Sequence, residues 1–148
     1  MKYYVIICFL VVSLHANTQE QQSETDLVIA SVENYFYGYI ERDENKLNKA
    51  FDLEHGTMKI PVLENQELTG YSNAYFKEII PKWGNRATLS KAALENCKLT
   101  ILSMHIESNK MATVKMKMQV GTTTYIDILS LQKINAHWKI TNKMFIEL

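Results

Sequence analysis

The sequence predicts a single α+β domain in which helices come first and an antiparallel sheet follows. Apolar residues recur at helical spacing between positions 28 and 40, whereas short alternating segments separated by turns run from position 97 to the end. A block of helices followed by a block of strands is typical of helices packed on one face of a sheet. The length of 148 residues suits one such domain, which we place at residues 26–148.

Three helices are expected before the sheet. Ser23 is positioned to cap the first, with Asp26 three residues later in near capping-box spacing. Asp43 is positioned to cap a short second helix. A third helix is predicted in LTGYSNAYFKEIIPKWG with Ser72 as its cap, after a short strand, MKIPVL, that Pro61 restricts to a sheet edge.

Four strands joined by two-residue turns are predicted from position 97 onward. The candidate turns are 108–109, 121–122 and 135–136. Two-residue turns fix the register, so the hairpins can be chained to show which residues share a face. One face is mostly apolar and is expected to point inward. The candidate site residues on that face are Met116, Tyr125, Asp127, Asn142 and Met144.

Asp127 is the main candidate for chemistry because it lies among β-forming residues in TYIDILSL. A carboxylate on an apolar face is costly unless it is paired. In the structural interpretation it bonds a loop, a helix end or a tyrosine. In the functional one, burial raises its pKa and it acts as a general base. His55 is a second candidate, as an acid/base partner across the interior or as an ordinary loop histidine.

Aromatic and thioether side chains suggest a pocket for a small hydrophobic or aromatic molecule. Tyr35, Tyr39 and Trp83 could line it, although aromatic residues at helical spacing also form ordinary cores. Met116 and Met144 would make the inner face adaptable. The four histidines lack metal-ligand spacing, so neither a metal nor another cofactor is expected.

The first 16 residues have the parts of a secretory signal. Lys2 provides a positive charge, residues 5–14 are apolar, and Ala16 offers a cleavage site. Cleavage would leave a flexible polar leader at residues 17–25 and no stable membrane span. It would also remove one of 16 basic residues and leave 15 beside 16 acidic ones, which argues against nucleic-acid binding. The protein is therefore expected to be exported, to a periplasm or the extracellular space.

The carboxy-terminal run YIDILSLQKINAHWKITNKMF resembles the putative lumazine-binding family of the nuclear transport factor 2-like superfamily, which also holds SnoaL-like cyclases and ketosteroid isomerases. The resemblance covers roughly residues 26–148. It implies a cone of three helices over a strongly curved antiparallel sheet with an internal pocket. One departure is Asp52-Leu53, where the family often has a His-Pro pair.

Three functions stay open, and the resemblance implies the first two, small-molecule binding or catalysis. The first function is an exported small-molecule-binding domain, and the second is an isomerase, cyclase or dehydratase with Asp127 as general base. The third is a non-catalytic structural or interaction domain. Dimerisation is expected through the outer sheet face, where apolar residues are predicted at Leu102, Met104, Ile126 and Ile128.

Overall fold

A computed structural model describes residues 23–148 and confirms the α+β fold. The predicted signal sequence and most of the predicted leader lie outside these residues. The described chain contains the helices α1 (Glu24–Glu41), α2 (Glu44–Ala50), α3 (Phe76–Gly84) and α4 (Lys91–Glu95). Its strands are β1 (Thr57–Glu64), β2 (Glu67–Tyr75), β3 (Lys98–Glu107), β4 (Met111–Val120), β5 (Thr123–Ile134) and β6 (His137–Glu147).

The first two helices begin where their caps predict. The Ser23 side chain accepts from the backbone N–H of Asp26, and the Asp26 side chain returns the bond in a full capping box. Glu24 and Thr25, in the predicted leader, thus belong to α1. The Asp43 carboxylate accepts two backbone N–H groups at the start of α2.

The prediction for the third helix is wrong in its first half. Ser72 caps no helix and instead pairs with Ile60 in the β1–β2 hairpin, and α3 begins only at Phe76. Pro81 lies inside this helix, which ends at Gly84. The short fourth helix, α4, raises the count from the three expected helices to four among the described residues.

One six-stranded sheet has the order β2-β1-β6-β5-β4-β3, so the edge next to β1 is taken by β2. β1 is therefore not the edge strand that was predicted. It pairs with β6 in parallel only from Thr57 to Lys59, before Pro61 is reached. Beyond that point β1 has β2 alone as a neighbour, so the missing N–H of proline costs no pairing on the β6 side.

The β3–β4 hairpin differs from the predicted register near its turn. Glu107 pairs with Met111, so its loop holds three residues rather than two, and Met104 and His105 exchange faces. Met104 therefore packs against the core and is not on the outer face. A bulge at Leu102 restores the predicted pairing of Ile101 with Met116.

The two remaining hairpins have the predicted turns, but one of them shifts register. In β4–β5, Val120 pairs with Thr123 and the predicted register holds throughout. In β5–β6, Leu131 pairs with Ile140 as predicted, and then a bulge at Thr141 shifts every later pair by one residue. The Thr141 hydroxyl donates to the Ser130 carbonyl at this bulge, 3.2 Å away.

The core fills the space between α1–α3 and the inner sheet face, and bulges help to bend the sheet around it. Among residues 23–148, no helix has the length and apolar character needed to cross a membrane. The largest fully buried side chains are Tyr35, Phe51, Phe76, Leu47, Ile80, Met116, Met118, Leu129, Leu131, Ile140, Val28 and Val32.

Candidate functional site

Asp127 lies on the inner face of β5 and is completely buried. Its neighbour on β4 is Met116, as the predicted register requires, and its neighbour on β6 is Phe145. The Tyr35 hydroxyl on α1 donates a hydrogen bond of 2.8 Å to Oδ2 of Asp127. A helix tyrosine therefore provides the first polar partner of the carboxylate.

Lys143 is the second partner of Asp127, and sequence reasoning missed it. The bulge turns Lys143 inward, where its side chain is 4% exposed and its Nζ lies 2.6 Å from Oδ1 of Asp127. The two side chains form a short, buried ion pair. We call Tyr35, Asp127 and Lys143 the floor cluster.

Burial shifts the pKa values of Lys143 and Tyr35 in the floor cluster. It lowers the pKa of the Lys143 ammonium, and the nearby Asp127 carboxylate opposes this effect. Burial also raises the pKa of the Tyr35 hydroxyl well above its usual value, and Asp127 raises it further. Tyr35 therefore remains a hydrogen-bond donor at neutral pH.

An aromatic wall stands beside the floor cluster. The ring of Tyr35 stacks on Trp83, with centroids 5.9 Å apart and an interplanar angle of 22°. Tyr39 meets Trp83 edge to face at 5.2 Å. The ammonium of Lys143 lies 4.5 Å from the ring centroid of Phe145 and 5.5 Å from that of Tyr35.

A cavity of about 420 Å³ opens above this cluster and wall, and we call it the cone cavity. Tyr125 lines the cavity, and the pKa of its hydroxyl is raised to about 12, mainly by burial and secondly by the neighbouring Tyr39. The charged rim of the cavity is formed by Glu78, Lys82, Arg86 and Glu147. The remaining lining residues are Tyr35, Tyr39, Met58, Ile60, Ala74, Ile79, Trp83, Met118, Tyr125, Lys143 and Phe145.

The predicted ligand-binding residues divide into two groups. Tyr35, Tyr39, Trp83 and Tyr125 line the cone cavity together. Met116 faces inward but is fully buried in the core beside Asp127, its partner across β4 and β5, and it does not line the cavity.

The sequence predicted Asn142 and Met144 on the inner face of the sheet, and this prediction is wrong. The bulge pairs Asn142 with Ser130, and its amide donates to the Thr57 hydroxyl at 3.0 Å. Met144 pairs with Ile128 on the outer face and is 46% exposed. Lys143 and Phe145 take the inner positions that were predicted for Asn142 and Met144.

His55 does not join the floor cluster. Its side chain is 76% exposed on the turn before β1, and its charged neighbours are Asp52 and Glu54. Asp127, in contrast, has no solvent exposure and is held by Tyr35 and Lys143. The proposed His55–Asp127 pair is therefore not formed.

Within residues 23–148, no three His, Cys, Asp or Glu side chains are grouped in a way that would hold a metal ion. The Cys97 thiol is free and half-buried, and it lies 3.2 Å from the Ala93 carbonyl. The chemistry that these residues offer is hydrogen bonding, ion pairing and aromatic stacking.

Helices packed over a curved six-stranded sheet, with a cavity on the concave side, define a nuclear transport factor 2-like fold. A protein of this class and of unknown function from Shewanella baltica OS155 superposes with a TM-score of 0.70 at 15% identity, covering 84% of this chain and 94% of that one. A second, from Methylobacillus flagellatus KT, gives a TM-score of 0.66 at 17% identity and covers 86% and 96%.

A third solved structure of this fold is described as a putative scytalone dehydratase from Novosphingobium aromaticivorans DSM 12444. It has a TM-score of 0.58 and 12% identity, and the alignment covers 84% of each chain. Identities this low establish a shared fold and no shared activity. No curated protein matches the sequence. The chain belongs to the family described as Putative lumazine-binding, whose model matches residues 23–146.

Proposed function

We propose that the protein binds a small, flat, hydrophobic molecule in the cone cavity. The observation that carries this proposal is the buried floor cluster beside an aromatic wall. A buried ion pair contributes little net stability compared with apolar residues of similar volume, so a fold gains little by placing one under an open cavity. The cavity volume lies within the range of small-molecule sites, which combine apolar walls with few polar groups.

Binding has more support than the alternative isomerase, cyclase or dehydratase function. A general base must reach the proton that it abstracts, directly or through one water. Asp127 is fully buried, does not line the cavity, and has Tyr35 and Lys143 against its two oxygens. A third function, as a purely structural domain, would leave the cavity and its aromatic wall without a role.

Calorimetric titration with ethylnaphthalene, together with a variant that fills the cavity, tests the binding function. Ala74 lines the cavity, whereas the adjacent Asn73 is exposed and does not line it. We expect Ala74→Phe to abolish binding and Asn73→Phe to leave it unchanged. The proposal would be refuted if neither ethylnaphthalene nor methyl naphthyl ketone bound to the wild-type protein. It would also be refuted if the two variants bound ethylnaphthalene equally well.

We also propose that the protein is a homodimer formed through an outer patch on the convex sheet face. The patch is two cross-strand pairs, Ile126 with Ile146 and Ile128 with Met144, and three of its four side chains are at least 44% exposed. Two copies related by a two-fold axis would cover each other's patch. Such apolar exposure supports a protein contact.

Sedimentation velocity on single lysine variants tests the dimer. Ile128→Lys places a charge within the outer patch, and we expect it to produce monomers. Met111→Lys is the matched control, because Met111 is 54% exposed on β4 but belongs to neither pair of the patch. A wild-type protein that sediments as a monomer at micromolar concentration would contradict the proposal.

Finally, we propose that the protein is exported after cleavage behind Ala16. The positive charge of Lys2, the apolar stretch at residues 5–14 and the small residue at position 16 support this. Expression of the full chain in a bacterium and amino-terminal sequencing of the product provide the test. We expect a product beginning at Asn17 outside the cytoplasm, and an uncleaved cytoplasmic product would contradict export.

A further inference from the structure

Lys143 has hydrogen-bonding capacity that the described residues do not use. An ammonium carries three N–H donors. The Asp127 carboxylate, 2.6 Å away, occupies one of them, and the other near neighbours are the ring faces of Tyr35 and Phe145. The remaining donors have no polar acceptor among the described residues. Lys143 also lines the cone cavity although its side chain is only 4% exposed. A nearly buried, under-satisfied donor therefore faces the space where we place the ligand.

Charge balance restricts the kind of acceptor that suits this donor. Asp127 already neutralises Lys143 at the floor. At the rim, Lys82 and Arg86 are balanced by Glu78 and Glu147. An anionic ligand group would add an uncompensated charge beside a buried ion pair, which is costly. A carbonyl oxygen supplies the missing acceptor without adding charge.

The wall restricts the shape of the ligand. Trp83, Tyr35 and Tyr39 present rings to the same cavity, and flat molecules make the largest contact with such surfaces. We propose that Lys143 is the polar anchor for a neutral, planar molecule that carries a carbonyl oxygen, such as an aromatic ketone or amide. This inference rests on the proposed binding function and names the class of its ligand.

Three matched probes test the inference on the full chain by calorimetric titration. They are methyl naphthyl ketone, ethylnaphthalene, which lacks the oxygen, and naphthoate, which carries a charge. Because hydrogen bonds from charged donors are among the stronger ones, we expect the ketone to bind about tenfold more tightly than ethylnaphthalene. Naphthoate should bind more weakly than the ketone.

Variants assign the preference to Lys143. Lys143→Met alone leaves Asp127 unpaired and can fail to fold, so the double variant Asp127→Asn/Lys143→Met, which removes both charges, is included. The double variant should bind ketone and ethylnaphthalene within about twofold of each other. Lys77→Met, which removes an exposed charge from α3 outside the cavity, should keep the wild-type preference.

The outcomes separate this inference from the binding function. Equal wild-type affinity for ketone and ethylnaphthalene would overturn the anchor and leave a binding cavity. Tighter binding of naphthoate would overturn the neutral ligand class. Loss of the preference in Lys77→Met, or its survival in the double variant, would overturn the role of Lys143. Absence of binding by all three probes would instead count against the proposed function itself.

Discussion

The hydroxyl of Tyr35 donates to Asp127 over 2.8 Å, and this bond joins α1 to β5 across 92 positions of the chain. With Lys143 against the other carboxylate oxygen, one helix and two strands meet at a single side chain. Breaking such a buried pair costs more than the intact pair contributes, because the remaining charge keeps its desolvation penalty. The stability of the fold should therefore be sensitive to each member of the floor cluster.

Removing one charge of the pair should destabilise the protein strongly. We expect Asp127→Asn or Lys143→Met to lower the free energy of unfolding by about 3–5 kcal/mol, as measured by urea unfolding. The double variant should lose much less than the sum of the two changes. The control is Lys46→Met, which removes an exposed ion pair with Glu41 and should cost less than about 1 kcal/mol. Additive effects would show that the two buried charges do not interact.

Removing the Tyr35 hydroxyl should cost less than removing a charge. Tyr35→Phe leaves Oδ2 of Asp127 without its donor, so we expect a loss of about 1–3 kcal/mol in the free energy of unfolding. Tyr37→Phe removes a hydroxyl from a side chain on the same helix that is 44% exposed, and it should change stability by less than about 0.5 kcal/mol. Equal losses in the two variants would be inconsistent with a structural hydrogen bond.

Alkaline pH should destabilise the fold through the ionisation of Tyr35 and Tyr125. The pKa of Tyr35 is raised well above the usual 10.0, and that of Tyr125 is raised to about 12. Below pH 10 the folded and unfolded states both keep these protons, and the two tyrosines make their full contribution to the free energy of unfolding. Above pH 10 the unfolded chain releases them first, so the free energy of unfolding falls as pH rises toward the folded pKa values.

Urea unfolding at several alkaline pH values checks this dependence. Tyr35→Phe and Tyr125→Phe should each reduce the steepness of the fall, because each removes one shifted group. Lys143 acts in the opposite sense below pH 10.5, because its lowered pKa lets the folded protein release a proton that the unfolded chain still holds, and stability then rises with pH. Comparing variant and wild type at the same pH isolates the tyrosine contribution, and parallel curves would contradict it.

The β5–β6 turn offers a stabilising substitution. Asn135 and Ala136 have φ angles of 49° and 67°, as in a type I′ turn, and a left-handed conformation is unfavourable for alanine. We expect Ala136→Gly to raise the free energy of unfolding by about 0.5–1 kcal/mol, as seen in the urea midpoint. Gly121 has a φ of 60°, so Gly121→Ala should have the opposite effect. A loss of stability in Ala136→Gly would contradict the strain.

The elements that the sequence predicted correctly depend on local chemistry. Ser23 and Asp43 cap helices because their side-chain oxygens accept nearby backbone N–H groups. The β4–β5 register follows from a two-residue turn that contains Gly121, and this alone placed Asp127 opposite Met116.

The errors arise where a local pattern has two solutions. Serine is a residue type that often caps helices, but the backbone of Ser72 pairs with Ile60 in the β1–β2 hairpin. The two residues are too far apart in the sequence for a local pattern to reveal this contact. The bulge at Thr141 leaves no composition signal, because threonine also suits a regular strand. Since Lys143 reaches the floor only through that bulge, one of the three floor-cluster residues was beyond sequence reasoning.

The bulge at Thr141 also affects how members of this fold family are compared. The bulge inserts one residue into β6 and shifts the pairing of β5 with β6 by one position. Which β6 side chains face Asp127 therefore depends on whether the bulge is present as well as on the amino acids in the strand. A relative that lacks the bulge would present an amide where this chain presents an ammonium, even with the same amino acids at every position. Deleting Thr141, in contrast, would remove the extra residue and keep Asn142 opposite Ser130 and Lys143 opposite Leu129, so the site would retain its charge.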